Sequence, residues 1–300
     1  MKIAGAPISW GVCEVPGWGH AMAPDRVLAE MHALGLEATE LGPPGYLPTH
    51  AGELRELLHR AGLKLVAGFL AVVLHGRERR EQGLRVVDRE AATLAAAGAE
   101  TLVLAAALPG DGYDVRGRLT GGDWTRLAAT LAAAEELTAG HGIELAVHPH
   151  FGTAIAGGDD LGRLLEVTES ALCLDTGHLF LCGTDPAGVA RDHASRVVHV
   201  HLKDVDAGIA ARVRSGRLSY AEAVAAGLYR PLGGGDLDIE GVCSRLEAAG
   251  YRGWYVLEQD LALSVEPEPA GGPVVAVRQS LDFLRSLAIG RQPTNASSET

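Results

Sequence analysis

Aromatic residues make up only 5% of this 300-residue chain, and cysteine occurs four times. Cys13, Cys173, Cys182 and Cys243 form no CxxC and no framework of spacings, so they read as reduced thiols of a cytoplasmic protein. Cations are also scarce. Against 38 Asp and Glu stand 26 Lys and Arg, a net charge of −12, which speaks against binding along a nucleic-acid phosphate backbone. The longest apolar stretches, such as Leu65–Leu74, fall far short of a membrane span. The opening MKIAGAPISW carries one Lys and no apolar segment of useful length, which argues against a secretory signal. Ser9-Trp10-Gly11-Val12-Cys13 contains no GxGxxG, so an open dinucleotide-binding sheet is disfavoured as well.

What the chain does have is alternation. Short runs rich in Val, Ile and Leu predict strands at Ile3–Trp10, Ala38–Leu41, Leu63–Leu70, Thr101–Ala106, Ile143–His148, Ala171–Asp175, Val197–Lys203 and Trp254–Gln259. Amphipathic stretches predict helices at Pro24–Leu34, Ala51–Ala61, Arg77–Ala97, Trp124–Ala139 and Val275–Leu287; Gly35, Gly62 and Gly98 serve as stops. Strands alternating with helices imply a parallel sheet, and near-continuous apolar strands imply burial on both faces. Eight units without a linker predict one α/β domain, a single (β/α)8 TIM barrel over 1–288, followed by a disordered tail over 289–300.

A barrel of this kind carries its active site at the C-terminal ends of its strands. There the sequence places Glu40, His148-Pro149-His150, Asp175-Thr176-Gly177-His178, His199 and His201 followed by Lys203-Asp204, and Glu258-Gln259-Asp260. An HxH alone marks two side chains on one strand face, and a terminal Asp alone is commonly a helix cap. Converging from several strands, imidazoles and carboxylates make a mixed N/O site for one divalent ion: Mn2+, Co2+, Zn2+, Fe2+ or, less well, Mg2+. The run Gly233–Gly235 before Asp236 reads as a plain turn rather than a phosphate loop.

These segments resemble the xylose-isomerase-like TIM barrels, and within them the inosose (2-keto-myo-inositol) dehydratases. The likeness lies in Ala6–Trp10, Thr39–Gly42 with Gly45–Pro48, His148–Thr153, Leu174–Leu179, Arg196 with His199–Val205, Pro231–Asp236, and Gly253-Trp254 leading to Glu258–Asp260. The resemblance implies a metal held by Asp175, His201 and Glu258. A histidine stands where that family has a strand-five Glu; His148 is preferred over His150. A neutral fourth ligand makes a stronger Lewis acid and favours Mn2+ or Co2+. No Arg stands between Arg196 and Arg212, where the related ketose epimerases carry one.

The expected chemistry is dehydration of a keto-cyclitol through a metal-stabilised enediolate with loss of a β-hydroxyl. The alternative is isomerisation or epimerisation of a keto-sugar, keto-inositol or sugar phosphate. Glu258, His178, His150 and Lys203 are the candidates for proton transfer and substrate orientation, although Lys203 could equally pair with Asp204. Glu40, Trp10 and His199 are candidates to line the substrate, although Glu40 reads more readily as a structural partner in the barrel and Trp10 as wall or core. The expected partner is a small polyhydroxylated keto substrate, with neither nucleic acid nor membrane; a homo-oligomer is left open.

Overall fold

The computed structural model describes residues 1–110, 112–115 and 117–290. Eight parallel strands close into a barrel. In chain order these are β1 (Lys2–Gly5), β2 (Ala38–Glu40), β3 (Lys64–Val72), β4 (Thr101–Ala106), β5 (Glu144–Val147), β6 (Ala171–Asp175), β7 (Val197–Leu202) and, after a two-stranded insertion, β10 (Trp254–Leu257). β1 pairs with β10 and β2, which closes the ring. The barrel expected from the sequence is the fold observed.

Helices α1 (Pro24–Ala33), α2 (Ala51–Ala61), α3 (Arg80–Ala97) and α4 (Gly121–Gly140) cover the strands of the first half. Gly98 ends α3 at φ 90°, a backbone region that side chains with a Cβ rarely occupy. α4 begins with a capping box in which Thr120 and Asp123 satisfy each other's backbone N–H. The second half carries α5 (Asp159–Val167), α6 (Thr176–Leu181) and α7 (Pro186–Asp192). The insertion holds a hairpin of β8 (Asp204–Val205) and β9 (Tyr229–Arg230) with α8 (Ala207–Arg214) and α9 (Tyr220–Ala225) between its strands. α10 (Ile239–Ala248) and α11 (Pro273–Gly290) complete the shell.

Size grades the packing. Inside the barrel sit small residues, among them Ala4, Ala38, Ala67, Val103, Ala146, Cys173 and Val256. Leu, Met and aromatic side chains fill the layer between barrel and helices. A separate apolar cluster at the strand C-termini, with Phe151, Leu181, Val213, Tyr220 and Tyr229, anchors the insertion.

Two expectations are corrected. The first strand stops at Gly5, and Pro7–Trp10 forms a 3₁₀ turn instead, because Pro7 lacks the N–H a central strand needs. The region between β7 and β10, left without elements in the sequence, holds the hairpin with its two helices and then α10. Of the expected tail, 289 and 290 continue α11 and the rest lies outside the described residues. No described helix is long and apolar enough to cross a membrane.

Candidate active site

The strand C-termini surround a cavity of about 250 Å³. One wall, from β1 to β4, is mostly apolar and includes Pro7, Ile8, Phe69 and Leu70; the other carries His148, His150, His178, His201, Lys203, Glu258 and Asp260.

At the floor, Asp175, His201 and Glu258 offer ligand atoms that all lie within 4.8 Å of one another. His201 Nδ1 is 3.2 Å from Glu258 Oε2 and 3.6 Å from Asp175 Oδ2, and it is buried without a hydrogen-bond partner. Its other nitrogen, Nε2, donates to Glu40 Oε1 at 3.0 Å, and His199 Nε2 donates to the same oxygen at 2.7 Å. A carboxylate behind an imidazole fixes the ring and aims the opposite nitrogen, the arrangement that usually backs a ligating histidine. Burial opposes ionisation of Glu40, yet the His201 and His199 rings hold its pKa well below the ordinary carboxylate range. An unpartnered buried nitrogen facing two carboxylates fits a divalent cation.

Asp175 serves two ends at once. Its Oδ1 caps α6 by accepting from His178 N at 2.8 Å, while its Oδ2 faces Lys203 Nζ at 2.8 Å and His148 Nε2 at 3.7 Å. The cap reading and the ligand reading of this residue are therefore compatible, one for each oxygen. Strand-five geometry separates the two histidines of the HPH segment. His148 reaches Asp175, whereas the His150 ring lies 3.6 Å from that of His178. Each donates Nδ1–H to a backbone oxygen, Pro149 O at 2.9 Å and Phe151 O at 2.7 Å, because a carbonyl can only accept. That leaves both Nε2 atoms as acceptors. Burial and neighbouring positive groups depress all three: His148 and His178 fall well below the usual imidazole range, and His150 goes down to about 4. Both causes favour the neutral imidazole.

Lys203 is buried among carboxylates. Its ammonium touches Asp175 and Glu258 and stands 3.5 Å from Asp260 Oδ1. The alternative pairing with Asp204 does not form. Neighbouring residues along an extended chain point in opposite directions, and Asp204 turns away to accept from the N–H groups of Gly233, Gly235 and Leu237. The glycine run is thus a turn wrapped around a carboxylate of the chain itself.

Two substrate-lining candidates lie elsewhere. Trp10 is fully buried in the outer core, where its Nε1 donates to Glu30 Oε2 at 2.8 Å, because the turn begun by Pro7 carries the indole away from the cavity. His199 sits two residues deeper along β7 than His201, bonded to Glu40, and does not line the cavity. Glu40 does line it, although both histidines engage the same oxygen.

Glu14, Phe69 and Tyr113, which no sequence pattern singled out, also line the cavity, together with Asp260, which was given no role. Tyr113 stacks on His150 at 4.8 Å, and its hydroxyl donates to Glu14. Gly152 lies directly beneath it, where any Cβ would overlap the Tyr113 carbonyl. Tyr220 donates to Asp260 Oδ2 at 2.5 Å. Burial, reinforced by Glu258, pushes the Asp260 carboxyl up to about 6 against the opposing pull of Lys203. Asp260 alone had a readable signal, two residues beyond Glu258 at the same strand end.

Comparison with known proteins bears on the fold and the family. A family model described as Xylose isomerase-like TIM barrel matches residues 28–287. The chain is 33% identical over 268 residues to the rhizopine catabolism protein MocC of Rhizobium meliloti, a match covering 87% of this chain and 82% of that protein. It is 31% identical over 277 residues to the inosose dehydratase of Geobacillus kaustophilus (strain HTA426), covering 87% of each. The solved structure of the IOLI protein with a bound zinc atom aligns at a TM-score of 0.68 over 98% of this chain and 100% of that one. At 14% identity this is a likeness of fold.

Proposed function

The chain belongs to the xylose isomerase-like TIM barrels, and from that membership and the cavity floor we propose that it is a metal-dependent dehydratase of a keto-cyclitol. It is an enzyme, a lyase or an isomerase, acting on a sugar or cyclitol. The observation that carries the finer reading is the convergence of Asp175 Oδ2, Glu258 Oε2 and the unpartnered His201 Nδ1 beneath three neutral histidines. Support comes from the 31% identity to an inosose dehydratase over most of both chains.

In this reading Asp175, His201 and Glu258 hold the ion, with His148 completing the set. A divalent ion bound there supplies Lewis-acid polarisation of a ketone and an adjacent hydroxyl. Mn2+ and Co2+ suit the two-carboxylate, two-imidazole set, and the zinc in the IOLI protein makes Zn2+ a metal to include in reconstitution. Glu258, Nε2 of His150 or a ring nitrogen of His178 takes the proton next to the carbonyl. The β-hydroxyl departs as water with a proton from Lys203 or from the histidine that took the first one. Glu40 fixes the His201 ring. Phe69, Ile8 and Pro7 meet the C–H face of the ring, and Tyr113 roofs it.

The test is the product formed from 2-keto-myo-inositol in D2O by metal-reconstituted protein. Dehydration gives a product lighter by one water, with new near-UV absorbance from a conjugated enol–dione. A product that has lost no water and is heavier by the one deuterium taken up at the enolised carbon, across a panel of keto-inositols and keto-sugars, replaces the dehydratase with an isomerase or epimerase.

A further inference from the structure

Lys203 Nζ and His201 Nδ1 converge on the same two oxygens. Asp175 Oδ2 lies 2.8 Å from the ammonium and 3.6 Å from the imidazole nitrogen; Glu258 Oε2 contacts the ammonium and lies 3.2 Å from that nitrogen. Lys203 is the one Lys or Arg among the described residues lining the cavity. The position that suits a divalent ion is thus already balanced by a charge of the chain itself. Two cations bound to one pair of oxygens repel each other strongly where water is excluded.

A second acceptor stands within reach. Asp260 Oδ1 is 3.5 Å from Nζ, and it is buried with no hydrogen-bond partner. Its sister oxygen is held by the Tyr220 hydroxyl, so the carboxylate is fixed with one face open toward the lysine. The Lys203 backbone is fixed as well. Its N–H donates to Thr176 Oγ1 at 2.8 Å, and that hydroxyl donates to Lys203 O at 2.7 Å. Gly177 packs so close that an added Cβ would lie 2.7 Å from Lys203 Cβ. Any shift of the ammonium must therefore come from the flexible stem.

We infer that Lys203 is an exchangeable counter-cation: it holds Asp175 and Glu258 together until a divalent ion takes them, and Asp260 then receives its ammonium. The inference rests on the reading of Asp175, His201 and Glu258 as the ion site. Lys203 is in this respect a positioning residue. It keeps the carboxylates gathered without the ion and, once displaced, stands on the Asp260 side of the cavity.

The experiment is Mn2+ titration of the metal-stripped full-length protein, with free Mn2+ read by electron paramagnetic resonance. Wild type is compared with Lys203→Met, Lys203→Gln, Asp260→Asn and the Lys203→Met/Asp260→Asn double variant. Removal of the competing ammonium is expected to tighten Mn2+ binding about tenfold or more. Asp260→Asn weakens binding in wild type and loses most of that effect beside Lys203→Met, because Asp260 acts through the lysine. Thermal unfolding supplies a second readout: both Lys203 variants lose stability in the stripped protein and regain it with Mn2+. If Lys203→Met fails to fold without the ion, the Gln variant carries the titration. Unchanged or weaker Mn2+ binding in the Lys203 variants overturns the exchange, as does an equal effect of Asp260→Asn in both backgrounds. If wild type itself binds no Mn2+, Co2+ or Zn2+, the ion-site reading fails and the exchange with it.

Discussion

Asp175 and Asp204 stand at the same end of the barrel, one closing β6 and the other just past β7, and neither has any exposed surface. Their partners differ in kind. Asp204 accepts four backbone N–H groups, those of Val205 and Leu237 on Oδ1 and of Gly233 and Gly235 on Oδ2, at 2.9–3.1 Å. Gly235 approaches so closely that a side chain there would overlap the carboxylate. Asp175 has one backbone donor, and its second oxygen faces a lysine and two histidines. Backbone donors are fixed by the fold and cannot be exchanged. Side-chain cations can be moved, deprotonated or replaced by an ion. Burial alone does not mark a functional carboxylate; the exchangeability of its partners does.

The same Asp→Asn change at the two positions should therefore separate chemistry from stability. Asp175→Asn keeps an oxygen for the α6 cap and weakens the ion site. Metal affinity should fall by more than the roughly 10–100-fold that outer partners of a metal site command, and turnover should fall with it. The stripped protein should lose stability about as the stripped Lys203 variants do, because the amide removes one countercharge of the buried ammonium. Metal titration and equilibrium unfolding measure the two effects. A variant that binds metal normally but unfolds early would make Asp175 a cap and nothing more.

Asp204→Asn should act on stability alone. An amide offers one acceptor oxygen to a loop that presents N–H groups to two, and its NH2 then faces donors in a buried site. A loss of about 2–3 kcal/mol is expected from the surrendered charge-assisted bonds. Metal affinity of the folded protein should stay near wild type. Urea unfolding monitored by circular dichroism gives the first quantity and Mn2+ titration the second. Failure of metal binding in a protein that remains folded would show that the glycine loop and the ion site act as one unit.

This contrast also marks where sequence reading succeeds and stops. Periodicity and β-branched runs placed β4 and β6 to the residue, because continuous burial leaves an uninterrupted apolar signal. The candidate ion ligands were legible because strand ends place residues by topology, and His201 faces inward with His199 by the two-residue repeat. Glu40 meets those histidines across 159 and 161 residues, a pairing no local pattern carries. Glu14, Tyr113 and Tyr220 enter from loops and the insertion, where register is set by contacts such as Asp114 Oδ1 with Tyr220 N rather than by period. Lys203 and Asp204 are adjacent in sequence, yet the turn of the chain sends them to different sites. Apolar character in Ile3–Trp10 suggested one long strand, and the single missing N–H of Pro7 ended it early.

Trp10 supplies the mildest test, because of its two expected places, cavity wall and core, the indole takes the core. The ring is fully buried, and its Nε1 donates to Glu30 Oε2, which also accepts from Arg26 through its other oxygen. Trp10→Phe removes the donor and some ring volume while Arg26 still satisfies Glu30. The cost should be about 1–2 kcal/mol of stability, the order of one hydrogen bond to a charged group. The cavity wall is unaltered, so kcat and KM should both stay within about twofold of wild type, as expected when neither ground-state nor transition-state binding is touched. Paired unfolding curves and steady-state kinetics on 2-keto-myo-inositol check this. A several-fold rise in KM at unchanged kcat would mean that Trp10 contributes to substrate binding after all. Unchanged kinetics with lowered stability would assign the whole of its role to holding the turn after β1 against the outer core.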